Sequence, residues 1–269
     1  STKDVGMILR LLYTKGARYL DTAPLYGNSE EILGSVGVSD WNVMSKMLPI
    51  DACNALDIKN IEKSVMKSIE TLGLDAIDGL FVHEPSNALH ENAGHIFDSL
   101  NKLKDGGFLK NVGVSVYTPE ELLKILERHS VDLVQIPMNV FDQRFENSGV
   151  LDLLARSGVK VHVRSVFLQG LLLKEPSDLP TYFKPWAQSF SNFHEFCHEE
   201  KIRPLQYILK QALMNSKVDK VILGFDGLQS VTDIVEEIEK IEVETSLQSD
   251  FSQSDVNLIE PRRWPSSWQ

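Results

Sequence analysis

A single parallel β/α barrel is the fold this sequence predicts, and three observations predict it. Short apolar runs alternate with longer segments of helical period along the whole chain, the order that a parallel sheet with crossover helices produces. The length, 269 residues, lies in the range where such a barrel forms one large domain. Polar residues gather where the runs end, the face that carries chemistry in these barrels.

Strands are expected at Arg18 to Thr22, Asn42 to Lys46, Gly79 to His83, Asn111 to Ser115, Leu133 to Ile136, Lys160 to Arg164 and Lys220 to Gly224. Between them, Ile58 to Leu72 sets Ile61, Val65, Ile69 and Leu72 on one helical face. Thr118 and Pro119 are the N-cap and first-turn residues of a helix running to Arg128. The stretch Lys174 to Trp186, with Pro176, Pro180 and Pro185, reads as a functional loop. No Gly/Ser linker divides the chain, so one domain is expected over residues 1–269. Seven strands are one short of a closed eight-stranded barrel, and the chain opens in an amphipathic helix around Val5 to Thr14. A first strand is therefore expected to lie ahead of Ser1.

Hydrophobic residues make up 42% and charged residues 24%, enough apolar side chain for a sizeable interior. A net charge of -11 would repel a nucleic-acid backbone, and no basic patch offsets it. No stretch approaches the ~20 apolar residues of a membrane span. Cys53 and Cys197 are too few for a disulfide framework and fit a reducing compartment, so the cytoplasm is the expected address. The oligomeric state is not written in the sequence.

Asp21 closes the first of these strands and is followed by Tyr26 in Asp-Thr-Ala-Pro-Leu-Tyr-Gly; Lys46 ends the next in Met-Ser-Lys; His83 ends the third in Leu-Phe-Val-His-Glu-Pro. Singly, each has an ordinary reading: an N-cap, a half-buried aromatic, a solvated charge, a satisfied histidine. At three successive strand ends they read as one site, and the set resembles the catalytic tetrad of the aldo-keto reductases, which implies reduction of a carbonyl by hydride. Hydride addition to a carbonyl builds negative charge on oxygen, so a proton donor must sit there. Tyr26 is that donor. A buried ammonium favours the phenolate, which makes Lys46 the group that tunes Tyr26, and Asp21 is the counter-ion that holds Lys46. His83 can donate to the carbonyl oxygen and fix its angle to the hydride.

These residues, together with Gly113-Val-Ser115, Val134-Gln-Ile-Pro-Met-Asn139, Arg164-Ser-Val-Phe-Leu-Gln-Gly170 and Pro261-Arg-Arg-Trp264, resemble the aldo-keto reductases across the chain. The resemblance implies a (β/α)8 barrel and a catalytic tetrad of Asp21, Tyr26, Lys46 and His83. It implies NADPH or NADH held in extended form across the barrel mouth, in keeping with the absence of a Gly-x-Gly-x-x-Gly motif. Ser115 and Gln135 would hold the carboxamide, and Arg164 would stand where an aromatic platform underlies the ring. Ser165 to Gly170, Phe167 included, would line the pyrophosphate, with Gly170 permitting close backbone approach. The loop Gly224-Phe225-Asp226-Gly-Leu-Gln-Ser230 and Asp233 would meet the adenosine half. NADPH-selective members carry Lys or Arg in that loop; here Asp226 would repel a 2′-phosphate or accept from a ribose hydroxyl, unless it caps the following helix. The implied substrate is a small carbonyl compound, sugar-derived by analogy with bacterial members that share the Phe-Leu-Gln-Gly segment. Substrate specificity is expected from Glu84 to Gly94 and Lys174 to Phe190, with Tyr117, Tyr182, Phe183 and Trp186 as candidate pocket walls.

Two other readings stand beside this one. His194-Glu-Phe-Cys-His198 spells a zinc hydrolase signature, with His194 and His198 as ligands and Glu195 as base, but no third ligand approaches from elsewhere in the pattern. In a barrel the same helix packs outside, with Phe193, Phe196 and Cys197 turned inward. Alternatively the barrel binds nucleotide without turnover, as the potassium-channel β subunits of that family do.

Overall fold

The computed structural model describes residues 1–241 and 249–266. Seven strands, β1 (Tyr19–Asp21), β2 (Asn42–Met47), β3 (Gly79–Val82), β4 (Val112–Ser115), β5 (Leu133–Pro137), β6 (Lys160–Arg164) and β7 (Lys220–Val221), pair in chain order, all parallel. The helices are α1 (Thr2–Thr14), α2 (Ser29–Val36), α3 (Ala55–Leu72), α4 (Pro85–Leu89), α5 (Ala93–Asp105), α6 (Pro119–Leu126), α7 (Arg144–Asn147), α8 (Val150–Ser157), α9 (Ala187–Glu199), α10 (Pro204–Leu213), α11 (Leu228–Glu239) and α12 (Val256–Ile259). The seven expected strands are present within a few residues of their expected bounds. Thr118 opens α6 with a reciprocal capping box to Glu121 and Pro119 in the first turn. Asn54 caps α3, whose Ile61, Val65, Ile69 and Leu72 are all buried.

Side-chain alternation sorts each strand into an outer row, packed under the helices, and an inner row. The inner row forms a small apolar core of Met44, Phe81 and Leu133. Glycine makes room for it: a Cβ at Gly79 would stand 2.5 Å from Met44 Sδ, and one at Gly113 would stand 2.4 Å from both Leu133 Cδ1 and the Leu133 carbonyl oxygen. The sheet is strongly curled. Four strand spacings on a flat sheet would separate β1 from β5 by about 19 Å, yet Gln135 Nε2 donates to Asp21 Oδ1 at 2.8 Å across the interior. Phe81 and His162, on β3 and β6, meet edge to face with centroids 5.8 Å apart. This is the arc of a (β/α)8 barrel.

Among the described residues β1 and β7 are not paired with each other. A cavity of about 340 Å³ lies in that seam, lined by Leu20, Asp21, His162, Val221 and Ile222 and by α1 and α11. The helical layer crosses the seam even though the sheet does not: Lys15 after α1 pairs with Glu239 of α11 at 2.6 Å. The segment Lys174 to Trp186 is not irregular throughout. It folds into short 3₁₀ turns over Pro176–Asp178 and Thr181–Trp186.

Candidate active site

The chain turns sharply after β1. Tyr26 N–H donates to the Ala23 carbonyl, Gly27 takes φ +59°, and Ser29 N–H donates to the Tyr26 carbonyl. The turn throws the Tyr26 ring back over the end of β2, where the Lys46 ammonium lies 4.8 Å from the ring centroid. Lys46 is buried, and its Nζ donates to Asp21 Oδ2 at 2.6 Å and to the Thr22 carbonyl at 3.0 Å. It meets Tyr26 through the ring face. His83 makes a T-shaped contact with the same ring, centroids 6.4 Å apart and planes at 84°. Asp21, Tyr26, Lys46 and His83 are thus brought together as expected. Tyr26 is 48% exposed, open to a substrate from the barrel mouth.

Burial lowers the pKa of His83 below the ordinary histidine value, and the charges of Lys46 and Arg164 add to that effect. A neutral imidazole at pH 7 keeps one N–H to donate and carries no charge to oppose Lys46.

The cofactor-side residues divide into those facing open space and those already engaged. Ser115 is buried at the end of β4, next in register to Gln135. Gln135 is only 1% exposed, and one N–H of its amide is engaged by Asp21 at 2.8 Å, so it also positions that carboxylate from the far side. Val116, which follows Ser115, is wholly buried and accepts from Arg164 at 3.2 Å. Arg164 is half-buried over the Tyr117 ring, 4.5 Å from its centroid. Arg262 lies 4.0 Å from the same centroid, a guanidinium pairing on Tyr117 that no spacing in the sequence signals.

Beyond β6, Ser165, Leu168 and Gln169 take φ of +62°, +48° and +55°, and Gly170 takes +77°. Non-glycine residues pay about 1–3 kcal/mol each for this conformation and collect at binding sites. A Cβ on Gly170 would meet nothing within 4 Å, so the glycine answers to its φ and not to close packing within the chain. The space above it is what a ligand approaching the backbone requires. Phe167 packs partly against the core, and Asn139 Nδ2 holds the Ser165 carbonyl at 3.2 Å.

In the loop after β7, Gly224, Phe225 and Asp226 are exposed. Ser230 caps α11: its Oγ accepts from the N–H groups of Asp226 and Gly227, each at 3.2 Å. Asp226 is therefore not the capping side chain. Asp233 accepts from Gln229 at 2.7 Å and sits on the exposed side of the helix.

The zinc signature comes apart on α9. His194 Nε2 lies 3.3 Å from the Leu172 carbonyl, Glu195 and His198 are exposed, and Phe193 and Cys197 are buried. No group of three or more His, Cys, Asp or Glu suited to a metal exists among the described residues. Cys53 and Cys197 are both free. Three of the aromatics expected to wall the pocket serve instead to seat the C-terminal segment. Phe183 is buried against Trp264, Tyr182 Oη donates to the Asn257 carbonyl, and Trp186 Nε1 donates to Asp255. No helix among the described residues is long and apolar enough to cross a membrane.

The chain is similar to known proteins over most of its length. The L-galactose dehydrogenase of Arabidopsis thaliana is 24% identical over 282 residues, covering 98% of this chain and 87% of that protein. The D-threo-aldose 1-dehydrogenase of a Pseudomonas species is 27% identical over 205 residues, covering 64% of this chain and 62% of its own length. The holo form of an aldo-keto reductase from Bacillus halodurans superposes with a TM-score of 0.73 at 21% identity, over 93% of this chain and 84% of that one, a likeness of fold. A model described as the aldo/keto reductase family matches residues 1–249, and the chain belongs to that family, whose members are oxidoreductases that reduce carbonyls to alcohols.

Proposed function

We propose that this protein reduces an aldehyde or ketone to an alcohol with NADH or NADPH, Tyr26 giving the proton. The observation that carries the reading is the convergence of three strand ends: a buried Lys46 locked to Asp21, with its ammonium over the Tyr26 ring and the His83 ring in a T-shaped contact with Tyr26. When bound, the dihydronicotinamide supplies the hydride. Tyr26 Oη, on the half-exposed ring, reaches the carbonyl oxygen and hands over its proton as charge develops there. Lys46 lowers the cost of the negative charge left on the phenol, and Asp21, held in turn by Gln135, keeps Lys46 charged and in place. Neutral His83 donates a second hydrogen bond to the same oxygen and sets its orientation.

Ser165 to Gly170 would cradle the pyrophosphate, and the loop Gly224 to Ser230 the adenosine. That second loop carries Asp226 and no Lys or Arg, which favours NADH by repelling a 2′-phosphate. Two relatives are sugar dehydrogenases by name, and an aldose or related hydroxy-carbonyl is the substrate class we assign. The unpaired seam that reaches Asp21 favours a second reading, a nucleotide-binding barrel without turnover. Nucleotide oxidation with a panel of aldoses and simple aldehydes decides between them. Turnover that falls by about 10²-fold or more in Tyr26→Phe, with nucleotide affinity unchanged, supports the reductase; binding without turnover on every carbonyl supports the silent barrel.

A further inference from the structure

The inner row of the barrel carries a cation at its mouth that no carboxylate among the described residues bonds, although it lies within reach of the Asp21 charge. Arg164 lies two residues beyond His162 on β6, on the side that faces the interior, in the same row as the Asp21–Lys46 pair. Lys46 has its carboxylate at 2.6 Å. Arg164 has none: among the described residues its guanidinium bonds only to neutral acceptors, the Val116 carbonyl at 3.2 Å and Ser165 Oγ at 3.4 Å. A second guanidinium, Arg262, stands on the Tyr117 ring beneath it. The Arg164 charge is felt across the mouth, since it contributes to lowering the pKa of His83.

A hydride donor must stand within about 3.5 Å of the carbonyl carbon, whose oxygen is bonded to Tyr26 and His83. Whatever ring delivers the hydride therefore lies inside the field of Arg164. That ring changes charge in the reaction. The reduced nicotinamide is neutral; two electrons and one proton leave it as hydride for the carbonyl carbon, the oxygen takes a proton from Tyr26, and the nicotinamide is left with one positive charge.

We propose that Arg164 makes this site discriminate between the redox states of the nucleotide, binding the neutral reduced form in preference to the cationic oxidised form. The inference rests on the nucleotide reading above and adds a direction to it: the protein loads reduced nucleotide from a mixed pool, expels the oxidised product, and works as a reductase more readily than as a dehydrogenase. Arg164 acts here as a specificity-determining residue for the redox state.

The test is titration calorimetry of the purified chain with NADH, NAD⁺, NADPH and NADP⁺, without any carbonyl present. The expected result is a Kd for the oxidised form well above that for the reduced form, with the ratio falling on the order of tenfold in Arg164→Leu. Arg164→Lys, which restores a charge without the planar fork, should recover a large part of it. Equal affinity of the wild-type chain for both redox forms overturns the inference and leaves the nucleotide reading intact. A ratio unchanged in Arg164→Leu overturns it too, by placing the discrimination elsewhere. Failure to bind any of the four nucleotides overturns both.

Discussion

Asp21 holds Lys46 with one carboxylate oxygen, at 2.6 Å, while its other oxygen accepts from Gln135 at 2.8 Å. The pair is deep, with side-chain exposures of 14% for Asp21 and 1% for Lys46. A buried ammonium whose partner is removed becomes an uncompensated charge. Asp21→Asn should therefore lower stability by about 3 to 5 kcal/mol, read as a lower urea midpoint at unchanged m-value. Neutralising both members, in Asp21→Asn with Lys46→Met, should recover most of that loss. A double variant no more stable than the single one would mean that the pair is not the source of the cost.

Acid should destabilise the fold through His162 before the carboxylates titrate. Its ring is 3% exposed in the barrel interior against Phe81, and burial pushes its pKa down to about 4 from the ordinary 6.5. The folded state thus binds fewer protons than the unfolded chain between those two values, and stability rises with pH there. The contribution is present in full above the unfolded value and is lost as pH falls through the folded one, a swing of about 3 kcal/mol. Unfolding free energy measured from pH 7 down to 4 should show this slope in the wild type. In His162→Phe it should be flatter.

The outer framework of this protein was legible because it rests on periodicity. The runs at Leu133 and Lys160 could only be short parallel strands, and Thr118-Pro119 could only open a helix. The meeting of Asp21, Tyr26, Lys46 and His83 was legible as well, since strand ends fix which residues share a face. The Gln135–Asp21 bond was not: an amide suits a nicotinamide as well as a carboxylate, and only the curl of the sheet, which carries β5 over to β1, brings the two together. The same holds for the aromatics Tyr182, Phe183 and Trp186. They are pocket-like in composition, but residues 255–264 fold back onto them, a contact between segments about 75 positions apart that no local pattern encodes. Arg164 and Arg262 meet on Tyr117 for a comparable reason, from three elements that sequence order separates.

Two glycines separate packing from propensity. Gly113 sits on the inner row, where a Cβ would stand 2.4 Å from the Leu133 carbonyl oxygen, a backbone atom that cannot step aside. Gly113→Ala should cost about 1 to 3 kcal/mol by overpacking. Gly94, near the start of α5, has nothing within 4 Å of its Cβ position. Gly94→Ala should be neutral or stabilising by up to about 1 kcal/mol. Thermal unfolding should fall in Gly113→Ala and hold or rise in Gly94→Ala, and a loss of stability in Gly94→Ala would show that a helical reference state is wrong there.

Arg144 ties the C-terminal segment to the barrel. Its guanidinium grips Asp142 through Nε and Nη2, both at 2.8 Å, and reaches Glu260 through Nη1 at 2.7 Å. Both carboxylates are buried, and Glu260 also accepts from Arg262 at 3.1 Å and Arg263 at 2.9 Å. Burial pushes the Glu260 carboxyl up, but the hydrogen bonds from Arg144, Arg263 and Arg262 outweigh it and hold the carboxyl below its ordinary value. Arg144→Met strands Asp142 and half of Glu260, and the expected cost is about 3 to 5 kcal/mol. Because Arg262 of the same segment also stands on Tyr117, loosening Glu260 should disturb the barrel mouth as well. Limited proteolysis should then cleave the Arg144→Met protein within residues 255–264 faster than the wild type, and nucleotide affinity should fall with it. Raised cleavage with unchanged affinity would mean that the segment seats independently of the site.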